Sequence, residues 1–271
     1  MRKIRIVADD HICFTSSGFL HRYLAIDEKM EQSLRENYLW FADPLEFNDP
    51  YDCNMEVDCD CNYEEVLRYL RETNKSQGYN MSDKLLKIKA KKLVDDPAEM
   101  ELLSKKSDMD TVSKLGVCCF SQRDDNLLMW SHYGDKHKGV CLTFDITEDK
   151  NLFGKQLFNL EYPSIYPKHR FPADAGKFLA LRFLIATKSR DWEYEDEIRV
   201  VRDDTNPPFR GKVPFNKKSL VGIKFGYKCP LEERTRINTL LIRIGGYDHV
   251  KFYTANLKKK AFGIEIQEIE R

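Results

Sequence analysis

Three glutamates stand at alternate positions in the segment WEYEDEIR, residues 192–199. On an extended chain the period of two places Glu193, Glu195 and Glu197 on one side, with Trp192, Tyr194 and Asp196 on the other. Carboxylates crowded in this way raise the pKa of at least one of them, and a glutamate at a strand mouth can hold a ribose hydroxyl or act as a general base. Arg199 is placed to pair with one of these carboxylates, and the same residues would equally make a structural ion-pair network. A second constellation is MWSHYGDKHKG at 129–139. His132 and His137 flank Asp135 and could exchange protons, while the rings of Trp130 and Tyr133 could sandwich a planar base. The two histidines are five apart across Gly134, so the i,i+4 spacing of helical metal ligands is absent. Met129 and Trp130 also fit plain core packing.

His21, Arg22 and Tyr23 alternate across a strand, with His21 and Tyr23 sharing the face opposite Arg22. Ser121 ends the apolar run VCCFS and reads either as a site residue or as an ordinary turn serine. In FNDPYD at 47–52, Asn48 or Asp49 can bond its own backbone, and Pro50 forces Asp49 out of the helical region. That constrained turn either joins strands or holds Asn48 and Asp52 at a pocket rim.

Eight cysteines occur, none in a Cys-x-x-Cys pair. Cys118 and Cys119 point to opposite faces of a strand and behave as small hydrophobes. Cys53, Cys59 and Cys61 cluster with Asp58 and Asp60, but structural zinc wants two-to-four-residue gaps and a second ligand pair, so no metal is expected. Reduced thiols and a cytoplasmic location follow as the default. Neither GxGxxG, GxxxxGK[ST] nor GxSxG is present, which excludes a recognisable Rossmann, P-loop or α/β-hydrolase site.

The elements that must position these residues are short strands at 19–25, 38–42, 117–121, 138–146, 156–162 and 220–226, with two more near 249–254 and 263–269. Helices are expected from the N-caps Asn62, Ser82 and Asp96, the last with Pro97 at the first helical position and an end near Gly116. A short helix is expected from Asp125 to Gly134, an apolar one from Asp174, and another over 230–243. Strands fall irregularly among helices, without a βαβ rhythm, so the fold class is α+β with mixed, largely antiparallel sheets. The chain reads as one domain over 1–271 with a helical insertion or lid at 62–115.

At 271 residues the chain is long enough to bury about 70–75% of its unfolded surface without a staple. Its 44 basic and 44 acidic residues balance, which argues against a nucleic-acid coat or a polybasic membrane binder. No apolar run approaches the roughly 18 residues of a membrane span, and MRKIRIVADD does not read as a secretion signal. The charge is unevenly laid out: residues 1–60 hold 6 Lys/Arg and 13 Asp/Glu, residues 210–260 hold 13 and 3. Either the two regions neutralise one another or the basic one faces a phosphate-bearing ligand.

Four ordered segments carry a resemblance: HRY at 21–23 leading to LWFADPLEFNDPYD at 39–52, CFSQRDDNLLMWSHYGDKHKGVCLTFD at 119–145, EYPSIYP at 161–167 and KSRDWEYEDEIRV at 188–200. Together they resemble the domain of unknown function 2971 family, whose name asserts no activity. The layout of an early His/Arg-Tyr strand, a middle strand ending in Ser and a late strand preceded by glutamates is also similar to the ADP-ribosyltransferase arrangement. No Ser-Thr-Ser stands at the middle strand, and the late segment reads as a glutamate cluster rather than as the transferases' Gln/Glu-x-Glu.

That second resemblance implies an ADP-ribosyltransferase-like core that consumes NAD as substrate and cleaves the nicotinamide–ribose bond. Glu197 would then hold the ribose 2′-hydroxyl and stabilise the transition state, with Glu195 and His132 as further catalytic groups. His21, Arg22, Tyr23, Ser121, Asn48, Trp130 and Tyr133 would bind the nucleotide, the acceptor being a protein or a nucleic acid. A toxin or defence effector is one such protein. Two alternatives stay open: a His/carboxylate hydrolase or nuclease using His132 and His137, and a non-catalytic ligand or partner-binding module.

Overall fold

The computed structural model describes residues 4–8, 11–15, 17–154, 156–175, 178–205 and 207–271. The strands are β1 (Ile4–Ala8), β2 (His11–Thr15), β3 (Phe19–Leu24), β4 (Tyr38–Phe41), β5 (Glu56–Asp58), β6 (Leu115–Ser121) and β7 (Val140–Asp145). They continue with β8 (Leu157–Asn159), β9 (Lys168–Arg170), β10 (Glu197–Asp203), β11 (Gly211–Pro214), β12 (Leu220–Phe225), β13 (Lys251–Leu257) and β14 (Ile264–Ile269). The helices are α1 (Glu28–Glu36), α2 (Tyr63–Ser76), α3 (Asp83–Asp95), α4 (Pro97–Val112), α5 (Leu127–His132), α6 (Lys150–Phe153), α7 (Phe178–Ala186) and α8 (Leu231–Ile244).

The sequence reads as one domain; the folded chain divides into two compact units. The first consists of Met1–Asp43, Leu115–Leu160 and Arg190–Arg271, the second of Pro44–Lys114 and Glu161–Ser189.

The first unit is built on an eight-stranded sheet in the order β14-β13-β12-β7-β3-β6-β10-β8. Every neighbouring pair is antiparallel except β12 and β13, which run parallel and are joined through α8, as a crossover requires. The α+β class with a mixed, mostly antiparallel main sheet is therefore what the chain adopts. One face of the sheet is apolar. Leu20, Phe120, Leu142, Phe144, Ile198, Val200, Ile223 and Phe225 form one core with Met30 and Leu34 of α1 and Ile237 and Leu241 of α8. Alternation then sends their sequence neighbours to the other face. The acidic N-terminal and basic C-terminal regions meet within this unit. Arg236 pairs with Glu31, Arg210 with Asp43, and Lys212 with Glu36 at 2.6 Å. The uneven charge is thus at least partly self-neutralising.

In the second unit α2, α3 and α4 surround a core of Val66, Leu67, Leu70, Leu86, Ala90, Leu93 and Met100, closed by Phe171. The stretch expected as a helical insertion over 62–115 supplies these helices. Their starts follow the local chemistry. Asn62 and Glu65 make a reciprocal capping box, Ser82 caps α3, and Asp96 caps α4 ahead of Pro97. α4 stops at Val112, earlier than Gly116, because Leu115 and Gly116 already pair with β10. The helix expected from Asp174 runs over Phe178–Ala186; Asp174 lies in a turn, and Gly176 and Lys177 lie outside the described residues.

Candidate functional site

The non-core face of the main sheet carries a lateral row of polar side chains in register. Thr143 of β7 stands opposite His21 of β3, His21 opposite Ser121 of β6, and Ser121 opposite Glu197 of β10. Three strand spacings separate its ends, about 14 Å. Among the described residues His21 and Ser121 are also the single ladder pair between β3 and β6, whereas β3 pairs with β7 along its whole length. The row therefore crosses the point where the two halves of the sheet join.

Ser121 is held by backbone. Its hydroxyl donates to the Glu195 carbonyl at 2.6 Å and accepts from the Arg123 N–H at 3.1 Å. Next to it, Gln122 bonds Asp196 twice: its backbone N–H donates to the carbonyl at 2.9 Å and its amide to the carboxylate at 3.1 Å. These contacts tie the end of β6 to the segment before β10, and they correct the expectation of an extended glutamate strand. Arg190–Glu195 is a 3-10 helix, and Asp196, at φ 44°, turns the chain sharply into β10. Only Glu197 lies on the strand. Glu193 is exposed, while Glu195 is buried by a different route and accepts the Tyr133 hydroxyl at 2.6 Å. Burial and this bond to Glu195 push the Tyr133 phenol up. Asp196 is also raised, by burial, against the pull of Gln122 and Arg123.

Glu197 and Arg199 form a buried ion pair, with Arg199 Nε 2.8 Å from Oε1 and Nη2 3.4 Å from Oε2. The structural ion-pair reading of the glutamate segment is thus realised in part. His132 sits at the end of α5 with its Nδ1 3.0 Å from the Tyr194 hydroxyl. Asn126, one residue beyond the expected cap, caps α5 with its side-chain oxygen and donates its amide to the Tyr194 carbonyl at 2.8 Å.

The remaining residues divide. Tyr23 shares His21's side of β3, and its hydroxyl donates to the Arg123 carbonyl at 2.9 Å. Trp130 has no exposed surface. Its Nε1–H donates to the Asp124 carbonyl and its ring meets Tyr23 edge-on at 5.1 Å, so it braces the 123–126 loop and offers no open face to a base. The accessible ring is Tyr133, 38% exposed. Arg22 projects to the opposite face, against Cys118 and over Phe120, as alternation requires. Asn48 is exposed in the second unit, where the turn is held by Asp49 accepting from the Tyr51 N–H.

Three side chains beside His21 escaped the sequence reading. Lys224 of β12 is buried, with Nζ 2.5 Å from Thr143 Oγ1, 2.8 Å from Asp124 Oδ2 and 3.4 Å from His21 Nδ1. Burial and the Lys224 charge push His21 down to about 3. Asp124 would be raised by burial, but the adjacent Lys224 leaves it below its ordinary value. The available signal was a lysine between Ile223 and Phe225 in an otherwise apolar strand.

The first unit thus belongs to the α+β class, with a His–Ser–Glu row across the middle of its main sheet. A family model described as Protein of unknown function (DUF2971) matches residues 129–200. The chain resembles that family over this stretch, which holds Trp130, His132, Tyr133, Glu195 and Glu197, whereas His21, Ser121 and Lys224 lie outside it. No curated protein and no solved structure matches the chain. Among the described residues no helix is long and apolar enough to cross a membrane.

Proposed function

We propose that the first unit is an NAD-consuming, ADP-ribosyltransferase-like enzyme of the cytoplasm that cleaves the nicotinamide–ribose bond. The observation that carries this reading is the register of His21, Ser121 and Glu197 on three adjacent strands, the order in which the transferase resemblance places its His/Arg, Ser and Glu. Glu195 and Glu197 are both buried at the mouth of β10.

In this reading Glu197, paired with Arg199, accepts the ribose 2′-hydroxyl and stabilises the positive charge that develops at C1′. The bond from C1′ to the pyridinium nitrogen breaks and its electron pair leaves with neutral nicotinamide. An acceptor oxygen or nitrogen, or water, then bonds to C1′, and its proton passes to Glu195, which Tyr133 orients. His21 and Ser121 stand toward the adenosine side, with Ser121 acting through the Glu195 carbonyl it holds.

The test is nicotinamide release from labelled NAD by excess wild-type protein, with protein and nucleic-acid acceptors supplied. Release is expected, and Glu197→Gln should lower it about 10²–10³-fold. No release under any of these conditions refutes the reading. A second reading, a non-catalytic ligand-binding module, is favoured by the burial of Glu197 against Arg199. It predicts NAD or another nucleotide bound without turnover.

A further inference from the structure

His21 has two ring nitrogens, and its neighbours treat them differently. Nδ1 faces Thr143 Oγ1 at 3.2 Å and Lys224 Nζ at 3.4 Å. An ammonium has no lone pair and can only donate, and Asp124 pairs with it at 2.8 Å. Thr143 Oγ1 accepts one Lys224 proton at 2.5 Å, which leaves its own proton to be given to His21. Both neighbours therefore supply hydrogen to Nδ1, and a proton on that nitrogen would face a cation. A neutral imidazole carries its proton on the other nitrogen. Among the described residues none bonds Nε2.

We propose that Lys224, anchored by Asp124 and acting with Thr143, is a positioning residue that locks His21 as its neutral Nε2–H tautomer, so that His21 offers a hydrogen-bond donor, not a base, to a nucleotide oxygen on this face of the sheet. The use toward NAD rests on the function proposed above; the tautomer does not. The charged groups facing the ring are Lys224 from β12 and Asp124 from the 123–126 loop. Tyr23 of β3 and Cys141 of β7 stand on the same face as uncharged groups, both raised chiefly by burial, Cys141 to about 12. Ser121 from β6 carries no charge. With the ring held down to about 3, the donor persists across the whole neutral and mildly acidic range.

The experiment is two-bond proton–nitrogen correlation NMR of the full chain labelled with ¹⁵N-histidine, His21 being assigned with His21→Gln. The expected spectrum at pH 7 shows an unprotonated Nδ1 and a protonated Nε2, unchanged at pH 5. A protonated Nδ1, or an imidazolium at pH 7, overturns the proposal. In folded Lys224→Met both tautomers should be present, with burial still holding the ring below its ordinary value; an unchanged tautomer pattern there removes Lys224 from the role. If that variant does not fold, Lys224→Leu, which likewise removes both donor and charge, takes its place under the same criterion. Added NAD should move the Nε2 signal and leave Nδ1 in place. NAD that binds by calorimetry without moving Nε2 overturns the donor role. NAD that does not bind at all overturns the proposed function and leaves the tautomer result standing.

Discussion

Glu197 and Arg199 are both almost fully enclosed and bond to one another, which makes them a buried ion pair. Such pairs contribute little net stability relative to apolar replacements, but removing one partner strands the other charge. Glu197→Gln or Arg199→Met alone should each lower the unfolding free energy by about 3–5 kcal/mol, and the double variant should recover most of the loss, as urea denaturation will read. The recovery matters for the activity test, because it separates a lost catalytic carboxylate from a lost fold. His21 gives a second prediction, in pH. Its folded-state value of about 3 lies below the ordinary 6.5, so the unfolded chain takes up the proton first as pH falls. The contribution is complete above pH 6.5 and is lost between 6.5 and 3, with a limiting slope of about 1.4 kcal/mol per pH unit. His21→Gln should remove this part of the acid sensitivity, measured as the difference between the denaturation midpoints of wild type and variant across that window.

The glutamates reach the sheet through a short 3-10 turn that is pinned, residue by residue, to the end of β6. Ser121, Gln122 and Asn126 all bond to the 194–196 backbone, and the left-handed Asp196 closes the turn. Ser121→Ala would leave the buried Glu195 carbonyl without this donor, at a cost of about 1–3 kcal/mol in thermal or urea unfolding. In the proposed enzyme it should also lower kcat with little change in NAD binding, since Ser121 acts only through the group it holds. At two further glycines strand and loop backbone approach closely. A Cβ at Gly139 would lie 2.1 Å from the Leu24 carbonyl oxygen, and one at Gly226 2.1 Å from that of His137. Both clashes are with backbone, so Gly139→Ala and Gly226→Ala should each destabilise by several kcal/mol, against about 1–2 kcal/mol for Gly78→Ser, where nothing lies within 4 Å but φ is positive.

Each unit is assembled from separate stretches of chain, and this has consequences for any attempt to cut the protein. The second unit's helical core of α2–α4 needs Phe171, and its β5 pairs with β9, so residues 44–114 alone lack both the closing aromatic and the strand partner. That fragment should show no cooperative thermal transition by circular dichroism, and a sharp one would mean that the helices fold without the 161–189 return. Much of the local architecture was legible beforehand: the Asn62, Ser82 and Asp96-Pro97 starts, the alternation at His21-Arg22-Tyr23 and the opposed Cys118 and Cys119. Each of these depends on chemistry within a few residues, on side-chain oxygens reaching the next turn or on the two-residue pleat. The 3-10 turn at Arg190–Glu195 was not legible, because what bends it is Ser121 and Gln122, some seventy residues earlier. Burial of Trp130 and the cage of Lys224, Asp124 and Thr143 around His21 were equally beyond it. Local propensity and period decided where strands and helices form and which side chains share a face. Strand order and register, which follow from how distant apolar faces exclude water together, decided which polar groups became neighbours, and hence what chemistry the sheet can perform.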